Sequence, residues 1–159
     1  MSYASPVALN LKYLVRDRQD RPVSCLLFGS AAWQCAVRDQ FIGWSAALRE
    51  ARLQQLTKNT RLLILPWFKV PHLASQALSL VLRRLRQDWQ TKCARPLELV
   101  ETFGDTSRFT GASYGAANWT ELGQTTGRTH QDRSHRLQAP LKRVLVYPLD
   151  PQFRRHLCA

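Results

Sequence analysis

Glu101 and Tyr114 are the side chains whose types and settings best suit proton transfer. Glu101 lies in Leu97-Glu98-Leu99-Val100-Glu101-Thr102-Phe103, an alternating run that reads as a strand, and sits near the C-terminal edge where open α/β sheets place ligands. Its carboxylate could act as a general base or accept from an exocyclic amine; the alternative is an ordinary solvent-facing strand glutamate. Tyr114 offers a phenol, or packs as a core tyrosine. Arg38 and Asp39 precede Phe41-Ile42-Gly43-Trp44 and read as an ion pair bracing a loop. A livelier reading gathers Arg38, Asp39, Asn118 and Arg128 on loops around one mouth, with Glu101, Tyr114 and Asp39 as its catalytic groups.

A second set of residues suits a polyanion. The chain has 159 residues, 23 Lys and Arg against 11 Asp and Glu, and a formal net charge of +12. Such an excess points to nucleic acid, DNA before RNA, although charge runs also serve as solvated faces. Trp44, Trp67 and Trp119 could stack on unpaired bases while Arg128, Arg133 and Arg136 neutralise phosphates, since stacking plus basic charge holds single strands. Each tryptophan has the alternative of a core position. Residues 125–139 are polar and basic and read as a mobile loop.

The elements that would position these groups follow from periodicity. Leu62 to Leu65 stop at Pro66 and read as a short strand buried on both faces. Leu73, Ala74, Ala77, Leu78, Val81, Leu82 and Leu85 recur at helical spacing, with Pro71 near the first turn. The strand of Glu101 follows, parallel to the first. Gly111 to Trp119 form a short helix, and Thr120–Thr125 and Leu141–Pro148 the last strands. Upstream, Leu9, Leu11, Tyr13 and Val15 alternate and pair with Val23–Phe28 as a hairpin around a charged turn, and a helix runs from Ala46 to Lys58 behind Ser45 as N-cap.

Composition bounds the class. At 45% hydrophobic residues the chain can fill one core, and residues 1–159 are read as a single domain. Cys25, Cys35, Cys93 and Cys158 show no paired spacing, so no metal site is expected from them. No run nears the roughly 20 apolar residues of a membrane span, and Met1 to Val7 hold no apolar core. A cytoplasmic protein with reduced cysteines is the expectation.

The strand, long helix, strand, short helix order, with Tyr114 ahead of Asn118-Trp119 and Leu122-Gly123, is similar to the second half of the GNAT N-acetyltransferase fold. The short words Arg38-Asp39, Ile42-Gly43-Trp44, Leu63-Ile64-Leu65-Pro66-Trp67, Leu73-Ala74-Ser75, Asp88-Trp89, Glu101-Thr102-Phe103, Ala116-Ala117-Asn118-Trp119 and Gly127-Arg128 resemble the Druantia DruA-like family, over about Leu11 to Leu157. That family is linked with anti-phage defence islands and transposable elements. The resemblance implies an α/β fold: one GNAT-like domain, a mixed β-sheet with a β4-α3-β5-α4 core in that fold's customary numbering, and a C-terminal β-hairpin.

The same resemblance gives Tyr114 the place of a tyrosine that protonates departing coenzyme A thiolate, with acetyl-CoA or another acyl-CoA as cofactor. It also puts Lys69, His72 and Ser75 at the phosphate loop. There His72 stands where a glycine would be, and Pro71 removes an amide donor. The first strand and helices of the acetyltransferase fold are not evident, so a protein partner or a homodimer is expected to complete the cleft. Three readings remain: a nucleic-acid-acting protein that modifies or processes DNA, a CoA-dependent N-acyltransferase, and a catalytically inactive DNA-binding module.

Overall fold

The computed structural model describes residues 9–70, 72–105, 111–125 and 141–159. Strands β1 (Leu11–Arg16) and β2 (Pro22–Ser30) form the expected hairpin. Asp17 closes its turn, its Oδ1 accepting from the amides of Gln19 and Arg21 at 2.9 Å, as an aspartate in a tight turn does.

Helices α1 (Ala36–Ile42) and α2 (Ala46–Arg52) come next. Arg38 and Asp39 therefore stand on a helix, not on the loop expected for them. Gly43 ends α1 at φ 81°, the left-handed conformation that a glycine takes without strain. Ser45 caps α2, its Oγ accepting from the Leu48 amide at 3.2 Å, but the helix stops well short of Lys58. A 3₁₀ turn covers Leu53–Gln55, and β3 (Leu56–Ile64) starts immediately after. Burial of Leu56, Thr57 and Asn59 between neighbouring strands outweighs their place at the end of a helical pattern. The apolar end of β3 corrects a second expectation, because Leu63 is 51% exposed and the buried end of the strand is Leu56–Asn59.

Helix α3 (Leu73–Cys93) follows its predicted stripe, with Ala77, Leu78, Val81, Leu82, Leu85 and Trp89 buried. Burying each large side chain stabilises by about 1.5–3 kcal/mol, which is what fastens the helix to the sheet. After it come β4 (Leu99–Asp105), α4 (Ala112–Ala116), β5 (Thr120–Gln124) and β6 (Lys142–Pro148). A last helix, α5 (Phe153–Cys158), was not anticipated; six residues are too short for a clear period.

The six strands form one mixed sheet in the order β1-β2-β3-β4-β6-β5, with β3 and β4 parallel and the other pairs antiparallel. A core lies on each face. Leu26, Phe28, Val100, Tyr114, Trp119 and Leu145 pack with α3 on one side. Ile42, Trp44, Leu56, Leu99, Val146, Phe153 and Leu157 pack on the other, beneath α1, α2 and α5.

Candidate active site

The site is created by a parting of strands. β3 and β4 pair only through Leu56↔Leu99, Thr57↔Val100 and Lys58↔Glu101. Beyond that point β3 runs on beside β2 to Ile64, while β4 runs on beside β6 to Asp105. The divergence coincides with a bulge in β3: Phe28 pairs with Asn59 and Leu27 with Arg61, so Thr60 is the extra residue. A bulge bends its strand, and here the bend opens the sheet. The gap is a cleft of about 550 Å³, walled by Asn59–Ile64 of β3, Thr102 and Phe103 of β4, Ala74 of α3 and residues 111–114 at the start of α4. A smaller hollow of about 290 Å³ adjoins it along Ile64, Ala74, Ala112 and Ser113 and reaches His72 and Ser75.

Tyr114 forms part of the cleft wall. Its phenol donates to Asn59 Oδ1 at 2.6 Å, and its ring meets Trp119 edge to face with centroids 5.0 Å apart. The Asn59 amide donates to the carbonyls of Leu27 at 3.0 Å and Arg61 at 3.1 Å, the pair that faces across β2 and β3 just beyond the bulge. Thr102 Oγ1 donates to Asn59 O at 3.0 Å across the parted strands. Asn59 thus holds both the bend and the phenol. Burial pushes the Tyr114 pKa up, opposed by the neighbouring Thr102 hydroxyl, so the phenol keeps its proton at neutral pH. Asn59 escaped sequence reading because it follows directly on the expected Ala46–Lys58 helix and reads as its end; an asparagine between Thr57 and Thr60, residues that suit a strand, was the available signal.

Glu101 lies on the other face. Alternation along β4 turns Thr102 toward Tyr114 and Glu101 toward α1, so the structure does not bring Glu101 and Tyr114 together. Glu101 is fully buried, neither an ordinary solvent-facing glutamate nor a cleft group. Its carboxylate accepts from Arg38 Nη1 at 2.8 Å and from the Ala32 amide at 2.7 Å, and Arg38 is itself fully buried. Burial pushes the Glu101 carboxyl up, opposed by Arg38, the Ala32 amide and Lys58. Asp39 continues the network: Oδ1 accepts from Arg38 and from Trp44 Nε1 at 2.8 Å, and Oδ2 accepts from Arg49 at 3.2 Å. This ion pair braces α1 against β4.

The remaining candidates scatter. Trp44 and Trp119 are 8% and 6% exposed and serve the two cores, which corrects their reading as base platforms; Trp67, 65% exposed, keeps that option. Asn118 takes φ 69° and turns the chain from α4 into β5, a left-handed position that asparagine favours. At the start of α3, Ser75 Oγ donates to His72 O at 3.0 Å, and His72 sits at φ 61° with its imidazole exposed. Lys69 is exposed nearby. Arg128, Arg133 and Arg136, with nearly all of the basic stretch expected at residues 125–139, lie outside the described residues.

Among the described residues, one group has metal-ligand chemistry: Glu98, Asp150 and His156, with ligand atoms all within 4.8 Å of one another. Arg86 already bridges both carboxylates, at 3.5 Å from Glu98 and 2.9 Å from Asp150, and His156 Nδ1 lies 2.9 Å from Glu98. The guanidinium supplies the positive charge a cation would bring, so these residues work as a clasp for α5.

Known proteins bear on both fold and family. The sequence matches the family described as Druantia protein DruA over residues 1–156. No curated protein matches it. Among solved structures, spermidine/spermine N-acetyltransferase SpeG from Vibrio cholerae in complex with manganese ions is similar, with a TM-score of 0.56 and 9% identity over 92% of this chain and 69% of that one. The spermidine N-acetyltransferase of the same organism in complex with CoA and spermine superimposes with a TM-score of 0.56 and 8% identity, over 89% and 66%. At these identities the likeness establishes a GNAT-like acetyltransferase fold and nothing of the chemistry.

Proposed function

The chain belongs to the Druantia DruA family, and from that premise we propose that it acts on nucleic acid through an acyltransferase-like cleft. An acyl thioester such as acetyl-CoA is the donor, and an amine or hydroxyl carried by the polyanion, or by a protein bound to it, is the acceptor. The observation that carries the reading is the opening between β3 and β4 with the Tyr114 phenol in its wall.

Donor binding divides into two ends. At the reacting end, the bulge at Thr60 leaves the main chain of β3 unpaired with β4, where it can receive an acyl group in extended form. At the phosphate end the fit is poorer: His72 puts a Cβ where a bare amide would approach, and Ser75 already donates to the His72 carbonyl. The thioester supplies an activated acyl carbon when bound. Tyr114, protonated and lent to Asn59 Oδ1 at rest, would turn that proton from Asn59 to a departing thiolate sulfur, which would leave as the thiol, a general-acid role.

Charge selects among acceptors. The solved neighbour was captured with spermine, a polycation. A chain of net charge +12 repels such a molecule and attracts nucleic acid. This accords with the family's link to anti-phage defence and mobile elements, and with a cytoplasmic setting; among the described residues no helix is long and apolar enough to cross a membrane. The crowded phosphate end favours a second reading, a nucleic-acid-binding module that has lost catalysis.

Calorimetry with acetyl-CoA, run beside label transfer from acetyl-CoA to protein-bound oligonucleotide, tests the proposal. Micromolar donor binding with transfer supports it. Oligonucleotide binding without donor binding moves the balance to the inactive module, and absence of both ends the nucleic-acid reading.

A further inference from the structure

The sheet face opposite α3 is open along the hairpin side, and the register orders what it displays. Lys12, Leu27 and Arg61 lie side by side across β1, β2 and β3, and the next row is Leu14, Cys25 and Leu63. Lys12 and Arg61 are exposed, and Leu14 and Leu63 are 49% and 51% exposed. Their alternating neighbours Leu11, Tyr13, Leu26 and Leu62 pack toward α3, so this pattern belongs to the far face alone.

The same face continues to the edge of the cleft. Lys58 pairs with Glu101 where the strands part, and its ammonium lies 4.6 Å from the centre of the Phe103 ring, itself a wall of the cleft. Lys142 pairs with Asp105 one step farther along β4. Burial pushes the Lys58 pKa down, with Lys142 adding repulsion against the pull of Glu101. Glu101 is committed to Arg38, and among the described residues neither Lys12 nor Arg61 has an acidic side chain within ion-pairing distance. Lys12 and Arg61, exposed and without an acidic partner among the described residues, are stabilised by an incoming anion.

We propose that a single strand of nucleic acid lies across this face, from the Lys12–Leu27–Arg61 row to Lys58 and Phe103, and so passes the mouth of the cleft. This rests on the nucleic-acid reading above and names its surface. The leucines decide for a single strand: they offer apolar ground to base faces, which an unpaired strand can present and a duplex keeps stacked. Phosphates meet Lys12 and Arg61, which flank that ground. A strand held so delivers a base or sugar to the side of the opening away from α3 and α4, while those helices border the donor's side.

Fluorescence anisotropy of a labelled oligo-dT strand and of a duplex tests this, using the full chain with Lys12→Glu/Arg61→Glu. Arg83→Glu/Arg155→Glu, on exposed helix positions, serves as a control with the same change in net charge. We expect the face variant to bind the strand on the order of tenfold more weakly at moderate salt, and the control to stay near wild type. Equal loss in both variants, or tighter binding to duplex, overturns the surface while leaving the nucleic-acid reading intact. No binding by the wild-type chain at low salt overturns both. Light scattering of Leu14→Glu/Leu63→Glu covers the remaining occupant: a dimer that becomes a monomer assigns the face to a second copy of the chain and overturns the proposal.

Discussion

Tyr114 donates its phenolic proton to Asn59 Oδ1 at 2.6 Å, while the same asparagine's amide bridges the carbonyls of Leu27 and Arg61, the strand pair next to the bulge of β3. One side chain therefore couples the shape of the cleft to the placement of its acid. Replacing Tyr114 by Phe removes the donor without opening a cavity. Stability should fall by about 1–3 kcal/mol, the range for leaving a buried acceptor short of its partner. Acyl transfer should fall much further than the folded fraction. Urea denaturation beside the transfer assay separates the effects, and unchanged transfer in a folded variant removes Tyr114 from the chemistry.

Arg38 and Glu101 should behave as a structural pair. Both are fully buried and joined at 2.8 Å, so Glu101→Ala leaves a buried guanidinium with Asp39 as its remaining carboxylate and should cost about 3 kcal/mol. The double change Arg38→Met/Glu101→Leu should cost much less than the two single changes added together. A double-mutant cycle by chemical denaturation measures the coupling; additive losses would contradict the pairing.

Asp88 gives a pH signature. It accepts from Arg84 and from the Tyr13 phenol, both at 2.8 Å, tying β1 to α3. The hydrogen bond from Arg84, then that from Tyr13, outweigh burial and hold its pKa below the usual aspartate value. A depressed folded pKa means the contribution is complete above the unfolded value of about 3.9 and fades as pH falls through the folded one. The stability gap between wild type and Asp88→Asn should be constant near neutrality and close below about pH 4. A gap that persists into stronger acid would show that the charge is not its source.

His72 sits at φ 61°, a conformation that costs a non-glycine residue roughly 1–2 kcal/mol. His72→Gly relieves that strain and bares the backbone at the start of α3. The variant should be at least as stable as wild type and bind acetyl-CoA more tightly. Calorimetry decides, and tighter binding by wild type would show that the imidazole itself holds the donor.

Nucleic-acid binding should weaken steeply with salt. Each phosphate neutralised contributes about 0.7 to 0.9 to the slope of log affinity against log salt, so a slope of several units is expected from this charge excess. Titration at two salt concentrations measures it. A flat response would place the binding energy elsewhere than in the phosphates.

The long apolar period of α3, the alternation of β1 and β2, and the strand–helix–strand order around Glu101 and Tyr114 were all legible in the amino-acid sequence. Local periodicity specifies such elements because each buries one face, and the face is written in the spacing of residues such as Leu78, Leu82 and Leu85. The Ser45 cap was legible for the same reason: its hydrogen bond closes within one helical turn.

What tertiary structure decided was the side of the sheet on which each chemical group falls. Glu101 and Thr102 are neighbours in the chain, yet the pleat sends one to Arg38 and the other to Tyr114, and only strand pairing settles which. Leu56 to Lys58 continue a helical pattern on paper but become strand because β4 and β2 stand beside them. The cleft has no local signature at all. It exists because β3 carries one residue more than β2 can match, and that surplus at Thr60 has meaning only once the strands have met.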